Sequence, residues 1–498
     1  MKIRSLRRAL VLWVVVAAAT SAPGAAAAAP HWVTTWAAPT AAAFPQTYNT
    51  DADFLLAAPG SDRTLRMLAR TTSGGTAVRV RLSNVGSASP LRIGAVTAAI
   101  GGTGAATRPG SSRSLLFGGR PGVTVAPGAT VVSDGADLPI AAGQDVAVSV
   151  YLPGPALTPS VHAQAFRTNY LTRSGYGNAT ADDSGAAFTA GVTSVVVVDR
   201  VDVLSAADAG AVVVLGDSLS DGLGSTFDGH DRWTDVLAAR LQAAGIDRSV
   251  VNAGLSGNSV DCGVGLGADG PDGVDRFDRD VLDVSGVRTV FLFAGTNDLA
   301  NGCTFAQLRG ALRGLADRAR GRGLDVIAAT LNVRDDLHYT AAAKADRLRL
   351  NDWIRTSGTF EHHVDFERAV STADGRRDPR YDDPDGIHLN PAGYRRLGEA
   401  VDLAVLAPVA PTCTARVVRL RVPSRARSVT AAIGGRSARV RRAGPTAVLV
   451  RLPGGRPQTL TVRLRGRSSP GHAPFRRTVR VPRCLTAPDP RVATRGRG

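Results

Sequence analysis

The chain has 498 residues and a formal charge of +17, and at about 150 residues per domain this length predicts two to three domains. The positive charge is confined to one end, because residues 411–498 hold 21 Arg, no Lys and a single acid, Asp489. This segment therefore carries +20 and the rest of the chain −3, which excludes a basic binding surface from the first 410 residues.

Residues 1–29 have the pattern of a secretory signal peptide. Lys2, Arg4, Arg7 and Arg8 precede an apolar run over 9–19, and small residues suited to cleavage continue to Ala29. The apolar run is shorter than the roughly 20 residues of a membrane-spanning helix. We therefore expect a secreted, extracellular protein without a transmembrane segment.

Residues 30–205 have the pattern of an all-β region. Short alternating runs such as 77–82 and 145–152 are separated by clusters of Gly, Pro and Ser. Such short strands, with turn signals between them, are typical of a β-sandwich. We expect an N-terminal β-sandwich domain here.

Residues 210–407 follow a different pattern, in which apolar strands alternate with helices. The predicted strands are 211–215, 249–252, 289–294, 324–331 and 364–366, and the predicted helices are 233–244, 305–320, 340–356 and 392–406. This alternation is typical of a parallel sheet covered by helices on both faces. We expect a central α/β domain with a parallel sheet.

The basic C-terminal segment has the pattern of a small β domain. After a Pro-rich linker, Arg and Val alternate over 415–422, 438–442, 447–452 and 460–464. We expect this domain over 411–486 and a disordered tail over 487–498, which is rich in Pro, Arg and Gly.

Four cysteines form an even set in a chain that is expected to leave the reducing cytosol. Three disulfide pairings are possible, and unpaired buried thiols are the alternative. We favour Cys262 with Cys303 and Cys413 with Cys484, because each pair then lies within one predicted domain. No spacing of Cys and His indicates a zinc site, and we expect neither metal nor cofactor.

Polar and small residues follow four of the predicted strands at their carboxyl ends, where the ligands of open α/β sheets lie. The segments are Gly216-Asp217-Ser218-Leu219, Asn252-Ala253-Gly254-Leu255-Ser256-Gly257-Asn258, Gly295-Thr296-Asn297-Asp298 and Asp385-Gly386-Ile387-His388-Leu389-Asn390. Because the carboxyl ends of parallel strands share one edge of the sheet, the four segments should meet.

These residue types suit acyl transfer by a serine nucleophile. The Ser218 hydroxyl needs a base, which His388 can be, and Asp385 can fix the tautomer of that imidazole. The amides of Ser218 and Gly254, with the side chain of Asn297, would donate to an oxyanion. We expect Asp217 to bond loop amides rather than to take part in the chemistry.

The four segments, in this order, resemble the signature blocks of the SGNH (GDSL) hydrolase superfamily. The resemblance covers about 211–406 and implies a flavodoxin-like three-layer α/β/α fold with Ser218, Gly254, Asn297 and His388 in the family's roles. The acid of its DxxH motif falls on Asp385. The N-terminal segments Trp32-Val33-Thr34-Thr35-Trp36 and Val78-Arg79-Val80-Arg81-Leu82-Ser83-Asn84 are similar to those of secreted actinobacterial acylhydrolases or arylesterases.

The sequence thus predicts a secreted serine esterase that hydrolyses carboxylic esters through an acyl-enzyme. One alternative is a carbohydrate O-acetyl esterase, and the substrate could be a small aryl or acyl ester, a lipid or an acetylated glycan. Another alternative is a cell-surface-binding protein with a weakly active hydrolase core. The basic C-terminal domain predicts an anionic cell-surface polymer as partner, and no motif indicates nucleic acid.

Overall fold

The computed structural model describes residues 29–42, 62–154, 159–206, 208–263, 270–407, 416–423, 426–433, 436–443, 446–452, 459–468 and 475–482. The described residues up to 407 belong to one compact unit, and those from 416 onward belong to a second. The predicted signal peptide, the pair Cys413 and Cys484, and the predicted disordered tail lie outside the described residues. No described helix is long and apolar enough to cross a membrane.

The first part of the larger unit consists of antiparallel strands. They are β1 (His31–Ala37), β2 (Ala41–Ala42), β3 (Arg63–Arg70), β4 (Val78–Ser83), β5 (Leu91–Ile93), β6 (Ala95–Ile100), β7 (Arg113–Ser114), β8 (Val123–Val125), β9 (Thr130–Val132), β10 (Asp145–Leu152), β11 (Ser160–His162), β12 (Asn169–Leu171), β13 (Ala190–Val192), β14 (Val195–Val196) and β15 (Val198–Ser205). The two largest sheets have the orders β1-β15-β4-β9 and β13-β12-β3-β10-β6-β7.

These two sheets share one hydrophobic core. Val80 of β4 and Val203 of β15 belong to the same buried cluster as Met67 of β3 and Val148 of β10, and all four are 0% exposed. Alternation along each strand sends every second side chain to this layer. The core between two antiparallel sheets is that of a β-sandwich.

The second part of the unit alternates strands and helices. They are β16 (Gly210–Gly216), α1 (Ser218–Asp221), α2 (Trp233–Ala243), β17 (Arg248–Gly254), α3 (Gly273–Phe277), a π-helix (Asp278–Leu282), β18 (Val287–Phe293), α4 (Thr296–Ala300), α5 (Phe305–Gly321), β19 (Asp325–Ala329), α6 (Ala341–Thr356), β20 (His362–Val364), α7 (Phe366–Ala369), α8 (Pro391–Ala400) and a 3-10 helix (Leu403–Val405). The strands form a parallel sheet in the order β17-β16-β18-β19-β20.

This strand order is the flavodoxin-like one, in which the topological switch point lies between the first and third strands. The predicted fold class, a parallel α/β region between two strand-rich regions, is confirmed. Because crossover helices leave the sheet in opposite directions on either side of β16, the carboxyl ends of β16 and β18 border a crevice. Ser218 follows β16 and Asn297 follows β18.

Several predicted elements end elsewhere than expected, and two of them end next to an aspartate that caps a helix. The fifth strand covers His362–Val364, because Phe366 begins a helix capped by the Asp365 side chain, which accepts from the Arg368 amide. The final helix ends at Ala400, where Val401 is extended, and the 3-10 helix that follows is capped by Asp402. In both places an aspartate that accepts a backbone amide starts a new helix.

An aromatic cluster fixes the sheet beneath the crevice. Trp233 packs on Phe291, Phe293 and Phe366 with ring centroids 5.0, 6.1 and 5.3 Å away. The Trp233 indole also donates to Ser220 Oγ at 3.3 Å. The packed core therefore reaches α1, the short helix that begins at Ser218.

The strand-rich layer is joined to the edge of the parallel sheet. Thr72 Oγ1 accepts from the Val250 amide at 3.1 Å, and its hydroxyl proton is shared between the Thr35 carbonyl at 2.7 Å and the Val250 carbonyl at 3.2 Å. Ser249 Oγ donates to the Thr34 carbonyl at 2.6 Å. Both residues of β17 are buried, so the outer side of this edge strand is closed by the N-terminal layer.

The second unit is a small β structure. Its strands are β21 (Arg416–Arg421), β22 (Ala426–Ile433), β23 (Arg436–Ala438), β24 (Val440–Arg442), β25 (Ala447–Leu452), β26 (Thr459–Ser468) and β27 (Phe475–Pro482). They form two antiparallel sheets with the orders β21-β25-β24 and β23-β22-β26-β27. Val450 and Leu452 from one sheet and Val462 from the other are 0% exposed in a shared core.

Candidate active site

The turn after β16 is held by Asp217 and permitted by Gly216. A Cβ on Gly216 would overlap the Ser220 side chain, so a larger residue does not fit here. The Asp217 carboxylate caps α1 by accepting from the Leu219 amide at 2.9 Å. Burial raises the pKa of Asp217 to about 7, against the opposing effect of that amide. The bond to a loop amide is the structural contact expected for this aspartate.

The structure brings Ser218, His388 and Asp385 into one hydrogen-bonded row. His388 Nε2 lies 2.7 Å from Ser218 Oγ, although the two residues are 170 positions apart. His388 Nδ1 lies 2.5 Å from Asp385 Oδ2, and Asp385 Oδ1 accepts from the His388 amide at 2.8 Å. Ser218 and His388 are 5% and 6% exposed, so the hydroxyl and the imidazole meet almost shielded from water.

Burial and charge set the protonation states of the row. Burial lowers the pKa of His388 below its ordinary value of 6.5, and Arg334 acts in the same direction against the opposing effect of Asp385. Burial tends to raise the pKa of Asp385, but its hydrogen bonds from His388 and the Ile387 amide outweigh burial and lower the pKa. At neutral pH the imidazole is therefore neutral and the carboxylate is ionised.

Asn297 stands at the start of α4 with its side-chain amide held in a fixed orientation. Arg334 Nη1 donates to Asn297 Oδ1 at 3.1 Å, and Asn297 Nδ2 donates to the Asn258 carbonyl at 3.0 Å. Arg334 is itself buried and paired with Asp336 at 2.6 Å. With its oxygen taken by a cation, Asn297 keeps one N–H available for another acceptor. Arg334 could not be predicted from the sequence, because nothing in the local pattern marks it.

The predicted oxyanion donor Gly254 does not have a free amide. The Gly254 N–H donates to Asn252 Oδ1 at 2.9 Å, and a Cβ here would lie 2.6 Å from the Asp221 nitrogen. Gly254 is the last residue of β17, and its lack of a side chain serves close packing against α1. The structure therefore contradicts the assignment of this amide to an oxyanion.

Gly257, on the same loop, is a better candidate for the oxyanion donor. The Asn258 amide donates to the Leu255 carbonyl at 3.1 Å, which closes a four-residue turn with Gly257 at its third position and φ at 79°. The Gly257 amide has no acceptor among the described residues. Its neighbour Asn258 is the residue whose carbonyl accepts from Asn297. The positive φ that such a turn requires could have drawn attention to this glycine.

A fully buried arginine, also missed by the sequence analysis, joins the strand ends that carry the site. Arg276 Nη2 donates to the Gly216 carbonyl at 3.0 Å, and Nη1 donates to the Ala253 carbonyl at 2.8 Å. Its Nε donates to Asn258 Oδ1 at 2.9 Å. One guanidinium thus fixes the nucleophile turn and the glycine loop relative to each other.

The N-terminal layer also reaches the nucleophile helix. His162 Nε2 lies 2.9 Å from Asp221 Oδ1, and Asp221 Oδ2 accepts from the Ser256 hydroxyl at 2.7 Å. Burial tends to lower the pKa of His162, but the charge of Asp221 and the hydrogen bonds that the imidazole donates to Asp221 and to the Pro39 carbonyl raise it. This buried pair ties the end of α1 to the β-sandwich.

Cys262 and Cys303 form a disulfide with their Cα atoms 5.9 Å apart. Together with Asp298 they are the group of potential metal ligands found among the described residues. Their sulfurs are bonded to each other, and Asp298 accepts from the amides of Val260, Asp261 and Cys262. The cluster is therefore a loop anchor, with no thiolate to offer a metal.

The fold and the site define residues 210–407 as a doubly wound α/β domain. A row of serine, histidine and aspartate lies at its switch point. The model of the GDSL-like lipase/acylhydrolase family matches residues 214–396, and this part of the chain is similar to the members of that family. The resemblance to the SGNH hydrolases is thereby confirmed for these residues. At the level of the family, the match implies a hydrolase acting on esters.

Solved structures with sequence similarity to this part of the chain are the following. A lipase/acylhydrolase from Enterococcus faecalis is 20% identical with a TM-score of 0.31, and 38% of this chain and 92% of that chain are covered. A member of the lipolytic G-D-S-L family from Veillonella parvula is 18% identical with a TM-score of 0.31, covering 39% and 96%. A carbohydrate acetylesterase family member from Sinorhizobium meliloti is 19% identical with a TM-score of 0.33, covering 39% and 97%. A search of curated proteins finds no match. The similarity of the N-terminal strands to actinobacterial acylhydrolases or arylesterases stays a prediction.

Proposed function

We propose that this protein is a serine esterase that hydrolyses carboxylic esters through a covalent acyl-enzyme, with Ser218 as nucleophile. The observation that carries the proposal is the row in which His388 Nε2 lies 2.7 Å from Ser218 Oγ and His388 Nδ1 lies 2.5 Å from Asp385 Oδ2. A hydroxyl in contact with a neutral imidazole, itself oriented by a carboxylate, is the arrangement that activates serine.

In the first half-reaction Ser218 Oγ attacks the ester carbonyl carbon, and its proton passes to His388 Nε2. His388 then gives this proton to the leaving alkoxide as the bond from carbon to that oxygen breaks, which leaves the acyl group on Ser218. In the second half-reaction a water molecule attacks the acyl carbon, gives its proton to His388, and Ser218 recovers that proton as the acid departs. Asp385 stays ionised and stabilises the imidazolium formed in each half-reaction.

Three donors are proposed for the oxyanion of each tetrahedral intermediate. They are the amide of Ser218, which has no intrahelical acceptor at the first position of α1, the free amide of Gly257, and the remaining N–H of Asn297. Gly257 thus replaces Gly254, whose amide was the predicted oxyanion donor. Each donor of this kind is typically worth about 3 kcal/mol of activation free energy.

The proposal is tested with purified full-length protein, a short-chain aryl ester and a fluorophosphonate that traps activated serines. Wild type should turn over the ester and acquire one phosphonyl group on the peptide that contains Ser218. Ser218→Ala and His388→Ala should lose both properties. His338→Ala is the matched control, because this exposed histidine lies outside the row. Labelling of another serine, or turnover by Ser218→Ala equal to wild type, would refute the mechanism.

The acyl group and the alcohol of the natural substrate are addressed by a second measurement. Rates with aryl esters of increasing acyl length, and release of acetate from acetylated xylan, separate a general esterase from a carbohydrate O-acetyl esterase. A steep preference for acetyl groups together with activity on the polymer would favour the latter.

Export from the cytosol is part of the proposal. A disulfide between Cys262 and Cys303 supports it, because such bonds persist in oxidising compartments. Expression of the full sequence in a secreting bacterial host should release active enzyme into the medium, and substitution of residues 9–19 by polar residues should retain it in the cells.

A further inference from the structure

In the C-terminal unit, arginine side chains lie on the outer face of one sheet. On β26, Val462 and Leu464 are 0% and 1% exposed in the core, whereas Arg463, Arg465 and Arg467 between and after them are exposed. Because successive side chains of a strand point to opposite faces, the three arginines project from the outer face of the sheet. They recur about 6.7 Å apart along the strand.

The register places a further arginine on the same face. Arg465 lies directly opposite Arg476 of β27 and, on its other side, opposite Thr430 of β22. Arg463 lies opposite Thr478 of β27. We call this surface the arginine face and define it by Arg463, Arg465, Arg467 and Arg476.

The arginine face lacks internal charge compensation. Among the described residues none of its four guanidiniums has an ion-pair partner, and the sequence from 411 to 488 contains no acidic residue. Like charges directly opposite each other in a sheet destabilise it, as Arg465 and Arg476 do here. Water and salt screen this repulsion between exposed side chains, and a bound polyanion would neutralise it.

We propose that the arginine face binds a linear polymer that carries phosphate groups along its backbone. Guanidinium groups pair with phosphate through two parallel hydrogen bonds, and Ser428, opposite Arg467, adds an exposed hydroxyl on the same face. A single small anion can engage only one or two of the arginines, so their regular array favours an extended ligand. Among the described residues, this face carries no aromatic side chain on which a nucleobase could stack.

The outer face of the other sheet supplies a matched control. Arg441 of β24 and Arg451 of β25 are exposed, but Arg441 lies opposite Leu449 rather than opposite another arginine. The double variant Arg441→Gln/Arg451→Gln removes the same charge from the same unit as Arg465→Gln/Arg476→Gln. It leaves the arginine face intact.

The experiment measures binding of the full-length protein to long-chain inorganic polyphosphate between about 0.05 and 0.3 M salt. Wild type should bind with an affinity that falls as salt rises. Arg465→Gln/Arg476→Gln should bind about tenfold more weakly or worse, with the slope of log K against log salt reduced by about one to two. Arg441→Gln/Arg451→Gln should stay within about twofold of wild type, and unfolding curves should show that both variants fold.

Three outcomes would overturn the proposal. An equal loss of affinity in the two double variants would show that binding depends on net charge and not on the arginine face. An absence of binding between wild type and polyphosphate would exclude phosphate polymers as ligands. Tighter binding to phosphatidylglycerol vesicles than to polyphosphate, at equal phosphate concentration, would assign the face to a lipid surface instead of a polymer.

Discussion

Arg334 Nη1 lies 3.1 Å from Asn297 Oδ1, so a buried cation orients the side-chain amide of the proposed oxyanion donor. The same guanidinium lowers the pKa of His388. Arg334 therefore acts on the reaction in two separable ways, through the position of Asn297 and through the field at the base.

Substitutions at position 334 should separate these two effects. Arg334→Lys keeps the charge but loses the planar fork that holds Asn297, so kcat should fall about tenfold or more while the acid limb of the pH profile stays in place. Arg334→Met loses both, so the acid limb should also move to higher pH. Rates measured across pH for both variants test this, and identical profiles for the two would show that the charge at 334 does not reach His388.

The two glycines of the 252–258 loop should respond differently to alanine. Gly254→Ala places a Cβ 2.6 Å from the Asp221 nitrogen, a backbone clash, so the protein should unfold at lower temperature. Gly257→Ala imposes a positive φ on an alanine and shifts the amide, at a cost of about 1 kcal/mol in stability. Its kcat/KM should fall about tenfold or more. Thermal unfolding and steady-state rates measure both effects, and full activity in Gly257→Ala would exclude its amide as a donor.

The activity should persist below pH 6.5. Burial and Arg334 lower the pKa of His388 from its ordinary value of 6.5, and only the neutral imidazole can accept the Ser218 proton. The value of kcat/KM should therefore begin to fall only below pH 6.5, as the pH drops through the pKa of His388 in the folded protein. An acid limb above pH 6.5 in the wild type would contradict this prediction.

Asp385→Asn removes the carboxylate that favours the imidazolium, so kcat should fall by roughly four orders of magnitude.

Asp217 should make the protein lose stability as the pH rises. Its pKa is about 7 in the folded protein and 3.8 ordinarily, so between these values the folded state binds the proton more tightly than the unfolded state. The free energy of unfolding attributable to this group is highest below pH 3.8 and declines until the pH passes about 7. Asp217→Asn keeps an oxygen for the Leu219 amide and should flatten the decline.

Urea unfolding at several pH values measures this difference. Asp352→Asn, on the exposed side of α6, is the matched control and should follow the wild type. Parallel curves for Asp217→Asn and wild type would mean that the carboxyl group titrates alike in the folded and unfolded states.

The order of the elements and the row of Ser218, His388 and Asp385 could be predicted from the sequence, because apolar runs and strand-end motifs are local signals. The strand that ends at Gly216 and the loop with His388 could be predicted to meet, since parallel strands share an edge. The helix start at Phe366 does not follow from the local pattern alone, because the ring packs against Trp233 in addition to the cap by Asp365.

The supporting residues could not be predicted for a related reason. Arg276, Arg334 and His162 act through partners distant in sequence, and an isolated arginine or histidine has the same local appearance whether it is solvated or buried. Gly254 and Gly257 both lie in a glycine-rich loop, and only the hydrogen bond from Gly254 to Asn252 distinguishes the free amide from the engaged one.

The hydrogen bonds between Thr72 and Val250 bear on how this chain can be divided or recombined. Excision of residues 208–407 would expose the outer side of β17, leave the amide of Val250 without the Thr72 acceptor, and remove His162 from Asp221. A transplant of the α/β region into another protein should therefore be designed to keep the sandwich strands that contact β17 and α1, because these contacts would otherwise be exposed to solvent.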